Sequence, residues 1–310
     1  MIPASSVLLL TTLTGFGFGL LVWVGFLAAL ALVPPSLFFV PMAVVVALGF
    51  SAAGLMASTL HLGHPERAWR AFSQWRSSWL SREGVAAMAT YPPAVLFAAS
   101  WWWFGPDMIV TRILGLAAAV MGLVTVGCTA MIYASLKPIR QWHNRHTAPD
   151  YLIYAVFSGA VLMVALWAAW FGLPWELAVG ALICALAAAG AKLAYWRFID
   201  RQKPLVTLAS ATGLAALGNV RPLDRPHFTE NYILREMGFQ TARKHAAKLR
   251  HIALVLAFFC PALLIVVAAL GTVPVIATIL AALLALAGLL VERWLFFAEA
   301  THVSTIYYGR

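Results

Sequence analysis

One stretch of this chain gathers side chains able to move protons: Ser58-Thr59-Leu60-His61-Leu62-Gly63-His64-Pro65-Glu66-Arg67-Ala68-Trp69, continued by Trp79-Leu80-Ser81-Arg82-Glu83. Imidazole titrates near neutrality, and a partly desolvated carboxyl group can be brought towards the same range. A histidine and a glutamate held at one depth could therefore hydrogen-bond the two ring oxygens of a quinone, or hand protons to it. The same residues admit a plainer reading. His61 could cap the last carbonyls of one helix, and Glu83 could sit at the positive end of the next helix's dipole. Arg67, Arg70 and Arg76 could be orientation signals alone.

Other candidates are weaker. Trp142-His143-Asn144-Arg145-His146 has an HxxH spacing but no further ligands, so a solvated connection is expected there and no metal site. Cys128, Cys184 and Cys260 lie in apolar stretches without a CxxC pair, which points to buried thiols. Haem needs axial ligands facing one another from different helices. All 8 histidines fall at or beyond helix ends, so no haem is expected in this chain. Glu292 and Arg293 are expected to form an ion pair with another helix, Lys192 to snorkel, and Trp101-Trp102-Trp103 to form an interfacial belt.

The elements that position these residues follow from composition. Of 310 residues, 63% are hydrophobic and only 10% charged, too apolar for a fold surrounded by water. The net charge of +10 is accordingly no sign of nucleic-acid binding. A bilayer core takes about 20 apolar residues per helix. Eight runs qualify: 7–32, 37–60, 84–104, 109–135, 151–171, 175–197, 251–271 and 274–298. The first is too long for a signal-peptide core and lacks a basic stretch before it, so no cleaved leader is expected. Short Pro/Gly connections follow runs one, three, five and seven, whereas 61–83, 136–150 and 198–250 are longer and polar. The expected architecture is an all-α integral membrane protein of one domain, residues 1–310. Its eight transmembrane helices form four hairpins, with both termini and the three long connections on one side.

Charge identifies that side. It receives Arg67, Arg70, Arg76, Arg82, Lys137, Arg140, Arg145, the basic residues between Arg197 and Arg250, Arg293 and Arg310, while the opposite side receives only Arg112. The positive-inside rule makes the rich side cytoplasmic. No ionisable residue is expected near mid-membrane, which argues against an ion-coupled transporter. The basic connection 198–250 is too long for a turn. Its stretch from Thr229 to Arg250 reads as helix, broken at Gly238, with Arg243, Lys244, Lys248 and Arg250 placed to meet lipid headgroups or a soluble partner.

Ser-Thr-Leu-His61-Leu-Gly-His-Pro65-Glu-Arg67-Ala with Ser81-Arg82-Glu83 resembles the hallmark of the DmsC-type anchor, the membrane subunit of dimethyl sulfoxide reductase-family molybdoenzymes. Glu292-Arg293-Trp294-Leu295-Phe296-Phe297 and Tyr307-Tyr308-Gly309 are similar to that family's ending. Thr212-Gly213-Leu214, Asn231-Tyr232, Glu236-Met237-Gly238-Phe239 and Ala242-Arg243-Lys244-His245-Ala246 resemble a bacterial branch of it. The resemblance implies an anchor that binds quinone (ubiquinone or menaquinone). It would dock a ferredoxin-like iron–sulfur subunit that contacts a molybdopterin catalytic subunit, with clusters and molybdopterin held only by those partners. The family's quinone-site histidine and glutamate map onto His61 and Glu83, with His64, Arg67 and Arg82 beside them. His64 replaces the small residue usual before the motif proline. Dimethyl sulfoxide reductases of this type carry their catalytic subunits outside, whereas the basic face here is the inner one. The resemblance therefore points to the branch that anchors cytoplasmic sulfite dehydrogenase in the bacterial inner membrane. A quinol-oxidising anchor of a terminal reductase is the alternative, and a transporter or structural membrane protein the second.

Overall fold

The computed structural model describes residues 3–60, 62–202, 206–224, 241–271 and 273–308. The chain is helical: α1 (Ser5–Ala29), α2 (Phe39–Thr59), α3 (Trp79–Phe104), α4 (Ile109–Ala134), α5 (Thr147–Phe171), α6 (Trp175–Asp200), the short α7 (Leu208–Thr212), α8 (Thr241–Leu254), α9 (Cys260–Ala269) and α10 (Pro274–Ala298). A π-helical segment, Val255–Phe259, fuses α8 to α9. Pro261 lacks an N–H and its ring would collide with the carbonyl four residues back, and a wider turn relieves both. Among the described residues, seven helices are long and apolar enough to cross a membrane, taking α8 to α9 as one rod from His245 to Ala269.

The remaining long helix, α3, has 26 residues, ample for a bilayer core at about 1.5 Å per residue. Arg82, Glu83, Tyr91, the internal Pro92 and Pro93, and its tryptophans lower its hydropathy. Its polar groups are matched by neighbours. Glu83 meets Thr129 (2.6 Å), Thr90 meets Thr125 (3.0 Å) and Ser100 meets Thr111 (2.6 Å), all on α4, while Tyr91 meets Ser51 of α2 (3.1 Å). Internal pairing of this kind is what an apolar surrounding demands of a polar side chain.

Helix α1 lies at the centre, packed on α2, α4 and α5, and the pairs α3/α4, α5/α6 and α9/α10 pack on each other. Small residues permit this closeness. A Cβ on Gly19 of α1 would fall 1.8 Å from the Ala155 carbonyl oxygen of α5, and one on Gly159 would fall 2.0 Å from the Gly19 carbonyl carbon. Gly105, Gly172 and Gly271 take positive φ where α3, α5 and α9 end, a conformation that other residues adopt only with strain.

Three expectations are corrected. Lys192 does not snorkel: only 1% of its side chain is exposed, and it faces α10. The connection before α5 is not simply solvated. Trp142 is buried among Tyr133, Phe296 and Phe297, and its indole Nε1 donates to the Phe296 carbonyl (2.9 Å). Gln141 and Pro138 then tie the same connection to the C-terminal segment through Thr301 and Val303. Of the tryptophan triplet, Trp101 is buried and donates to the Ser36 carbonyl (2.8 Å), leaving Trp102 and Trp103 exposed. The helix expected from Thr229 to Arg250 is present from Thr241 on, as α8, while 229–240 and the break at Gly238 lie outside the described residues.

Candidate functional site

Glu83 occupies the second turn of α3, whose first turn is capped by the Ser78 side chain accepting from the Ser81 amide (3.5 Å). It is 5% exposed. Thr129 Oγ1 donates to Glu83 Oε1 at 2.6 Å, which fixes the carboxyl group between α3 and α4. Next to it, Gly84 brings the backbone against Phe72: a Cβ there would meet the ring at 3.2 Å. Phe72 belongs to the 3₁₀ segment Pro65–Gln74, so the buried carboxyl group lies where this segment folds onto the end of α3.

Arg82 turns away from Glu83. Its guanidinium donates to the carbonyls of Trp75 (3.0 Å) and Arg76 (2.7 Å) and stacks 4.2 Å over the Trp79 ring, which fastens the 61–83 connection to α3. His64 and Arg67 stand at the surface. The His64 side chain is 68% exposed and its Nδ1 lies 3.0 Å from Glu66 Oε1, while Arg67 Nε is 3.7 Å from the same oxygen. His61 lies outside the described residues. Of the four described candidates, Glu83 alone is buried.

At the same end of the bundle lies a second polar group. The Lys192 ammonium of α6 bonds Glu292 Oε1 of α10, and Arg293 Nε stands 3.4 Å from Glu292 Oε2. All three are buried, and the Arg293 guanidinium stacks 3.8 Å over the Tyr151 ring of α5. A cavity with about 20 Å³ of water-sized space is lined by both Arg293 and Thr129, the partner of Glu83. Thr12, Tyr151, Tyr154 and Ser158 line it too. Room for about one water beside hydroxyl groups makes the layer continuous in hydrogen-bonding capacity. Further out, Arg250 of α8 bonds both Asp200 oxygens (2.7 and 3.0 Å) and Glu299 Oε1 (2.9 Å). Burial pushes the Glu299 carboxyl above its ordinary range, against the opposing pull of Arg250.

Comparison with known proteins places the chain in a family. Residues 3–308 match the family described as DMSO reductase anchor subunit (DmsC). The chain belongs to that family. It is 35% identical over 327 residues to a sulfite dehydrogenase subunit of Allochromatium vinosum, covering 99% of each chain. It is 27% identical over 119 residues to the anaerobic dimethyl sulfoxide reductase chain YnfH of Escherichia coli, covering 36% of this chain and 39% of that one. No solved structure matches it. The protein is thus a multi-pass membrane anchor subunit of the DMSO reductase type, a class that serves oxidoreductase complexes.

Within this DmsC-family anchor, the ion pair expected of Glu292 is present, with Lys192 as its partner on another helix. Thr129, Tyr151 and Tyr154 escaped sequence reasoning. Each lies in an apolar helix, where a lone hydroxyl gives no hint of which neighbour it faces. The i, i+4 pair Thr125 and Thr129 was the available signal, because it places two hydroxyls on one face of α4. Among the described residues, no group of three or more His, Cys, Asp or Glu side chains is placed to hold a metal ion.

Proposed function

We propose that this anchor takes electrons from a ferredoxin-like iron–sulfur subunit on the cytoplasmic face and delivers them to membrane quinone beside Glu83. The molybdopterin subunit of the same complex would oxidise sulfite. The reaction balances without another reactant: sulfite and water give sulfate, two protons and two electrons, and quinone takes up two electrons and two protons to become quinol. The supporting observation is a buried carboxyl group, oriented by one hydroxyl, at the loop-bearing end of the bundle. Thr129 engages one carboxyl oxygen, and the other is available to exchange a proton with a quinone oxygen. Lipid surrounds the bundle and the isoprenoid tail lies among its helices.

In this reading α3 crosses the membrane with the seven apolar helices, four hairpins stand side by side, and both termini face the cytoplasm. The clustering of Lys and Arg supports this orientation. His61, with His64, Arg67 and Arg82 nearby, belongs to the proton supply. The likeness to a sulfite dehydrogenase subunit over nearly the whole chain favours sulfite over the reverse reaction of a terminal reductase, whose relative matches little more than a third of it. Sulfite-dependent quinone reduction by the intact complex tests the assignment. Turnover with sulfite supports it, whereas a complex that only oxidises quinol with a sulfoxide overturns it.

A further inference from the structure

The outer face of α6 changes character along its length. Ile183, Leu186, Gly190, Ala194, Arg197 and Arg201 follow one another at helical spacing on the side opposite the buried Ala185, Ala188, Lys192 and Tyr195. Leu186 is 75% exposed, Ile183 is exposed too, and around Gly190 a Cβ would meet nothing within 4 Å. An open apolar face of a membrane helix thus ends at two arginines. There the connection before α5 contributes Arg140, Arg145 and His146, and with Phe198 these residues line a groove of about 630 Å³, within the size range of small-molecule sites.

Among the described residues, no carboxylate lines this groove. Asp200 and Glu299 are engaged with Arg250, and Glu292 with Lys192 and Arg293, while Asp150, four residues beyond His146, is buried within the bundle. Within the same described residues, Arg197 and Arg201 form no ion pair. The His146 ring rests 5.0 Å from that of Phe198, and burial, then the Arg145 charge, push its imidazole below its ordinary range. The positive charge is therefore that of the arginines, whose planar donors match phosphate oxygens.

We infer that this groove binds the phosphate headgroup of an anionic phospholipid, with an acyl chain laid along Ile183, Leu186 and Gly190. An acidic protein surface would satisfy the arginines alone, whereas a phospholipid joins a phosphate to an acyl chain that runs along the adjoining apolar face. Basic pockets at the ends of membrane helices suit such headgroups. The site is independent of the reaction at Glu83.

The test uses the full chain in mild detergent, with bound lipid counted by native mass spectrometry after adding phosphatidylglycerol, phosphatidylcholine or inorganic phosphate. Wild type and the exposed-site control Arg70→Gln should retain phosphatidylglycerol and not phosphatidylcholine. Retention should fall on the order of tenfold or more in Arg197→Gln/Arg201→Gln, since each basic group near a headgroup strengthens binding several-fold. Arg197→Lys/Arg201→Lys, which keeps both charges, should recover part of it, and Arg201→Gln alone gives the same reading should the double variant fail to fold. Equal retention of the two lipids, or undiminished phosphatidylglycerol in the Gln variants, would overturn the inference. So would competition by inorganic phosphate alone, or loss of a soluble subunit from the Gln variants with lipid retained.

Discussion

Thr129 Oγ1 lies 2.6 Å from Glu83 Oε1, and this one hydrogen bond holds the buried carboxyl group of α3 against α4. Thr129→Val keeps the shape and removes the donor. Quinone reduction should fall about tenfold, through loss of the oriented carboxyl group, while sulfite oxidation with a soluble artificial acceptor stays unchanged. Thr129→Ser should restore most of the rate. Steady-state assays with both acceptors separate a positioning role from a folding defect, because misfolding would not discriminate between them.

Lys192 bonds Glu292 in the bundle interior, with Arg293 Nε 3.4 Å from the second carboxylate oxygen, so each loss leaves buried charge poorly matched. Glu292→Gln or Lys192→Met alone should destabilise the bundle by about 3–5 kcal/mol, the cost of leaving one charge buried without its partner. The double change Lys192→Met/Glu292→Gln should cost less than the sum. Detergent unfolding of the four proteins measures the coupling, and additive losses would show that the pair does not act as a unit.

Close helix approach makes a sharp contrast among glycines. Gly19→Leu would drive a side chain into the α5 backbone, where even a Cβ would come within 1.8 Å of the Ala155 oxygen. Overpacking on this scale costs about 3 kcal/mol or more, so folded protein should be lost. Gly49→Ala, on α2 with open space around the added methyl, should be neutral. Monodisperse yield after extraction distinguishes the two.

Orientation is tested by single cysteines on a background lacking Cys128, Cys184 and Cys260. A label that cannot cross the membrane should reach Ser73→Cys, in the exposed 3₁₀ segment, only from the cytoplasmic side. It should reach Asp107→Cys, between α3 and α4, only from outside. The reverse pattern would place the partners on the other surface and remove the sulfite reading.

Helix positions were legible because roughly 20 consecutive apolar residues have few alternatives to a membrane helix. Each of the eight runs falls largely on a helix, and the run at 84–104 begins earlier, at Trp79, because Ser78 caps a turn that carries Arg82 and Glu83. Azimuth was not legible. Hydropathy gives the depth of Lys192 but not the face it occupies, so burial against Glu292 read as snorkelling. Trp142 was hidden by its polar neighbours in sequence, though it packs with residues of α4 and α10. Among the described candidate site residues, Glu83 alone is buried. His64, Arg67 and Arg82 point to solvent or to loop carbonyls, a difference set by local turns that spacing does not encode.

Glu83→Gln tests the central claim most directly, because it keeps the size of the side chain and its hydrogen bond from Thr129 while removing the exchangeable carboxyl proton. In the intact complex, sulfite-dependent quinone reduction should fall on the order of a hundredfold, with sulfite oxidation by an artificial acceptor preserved. Full quinone turnover in that variant would contradict a quinone site at Glu83.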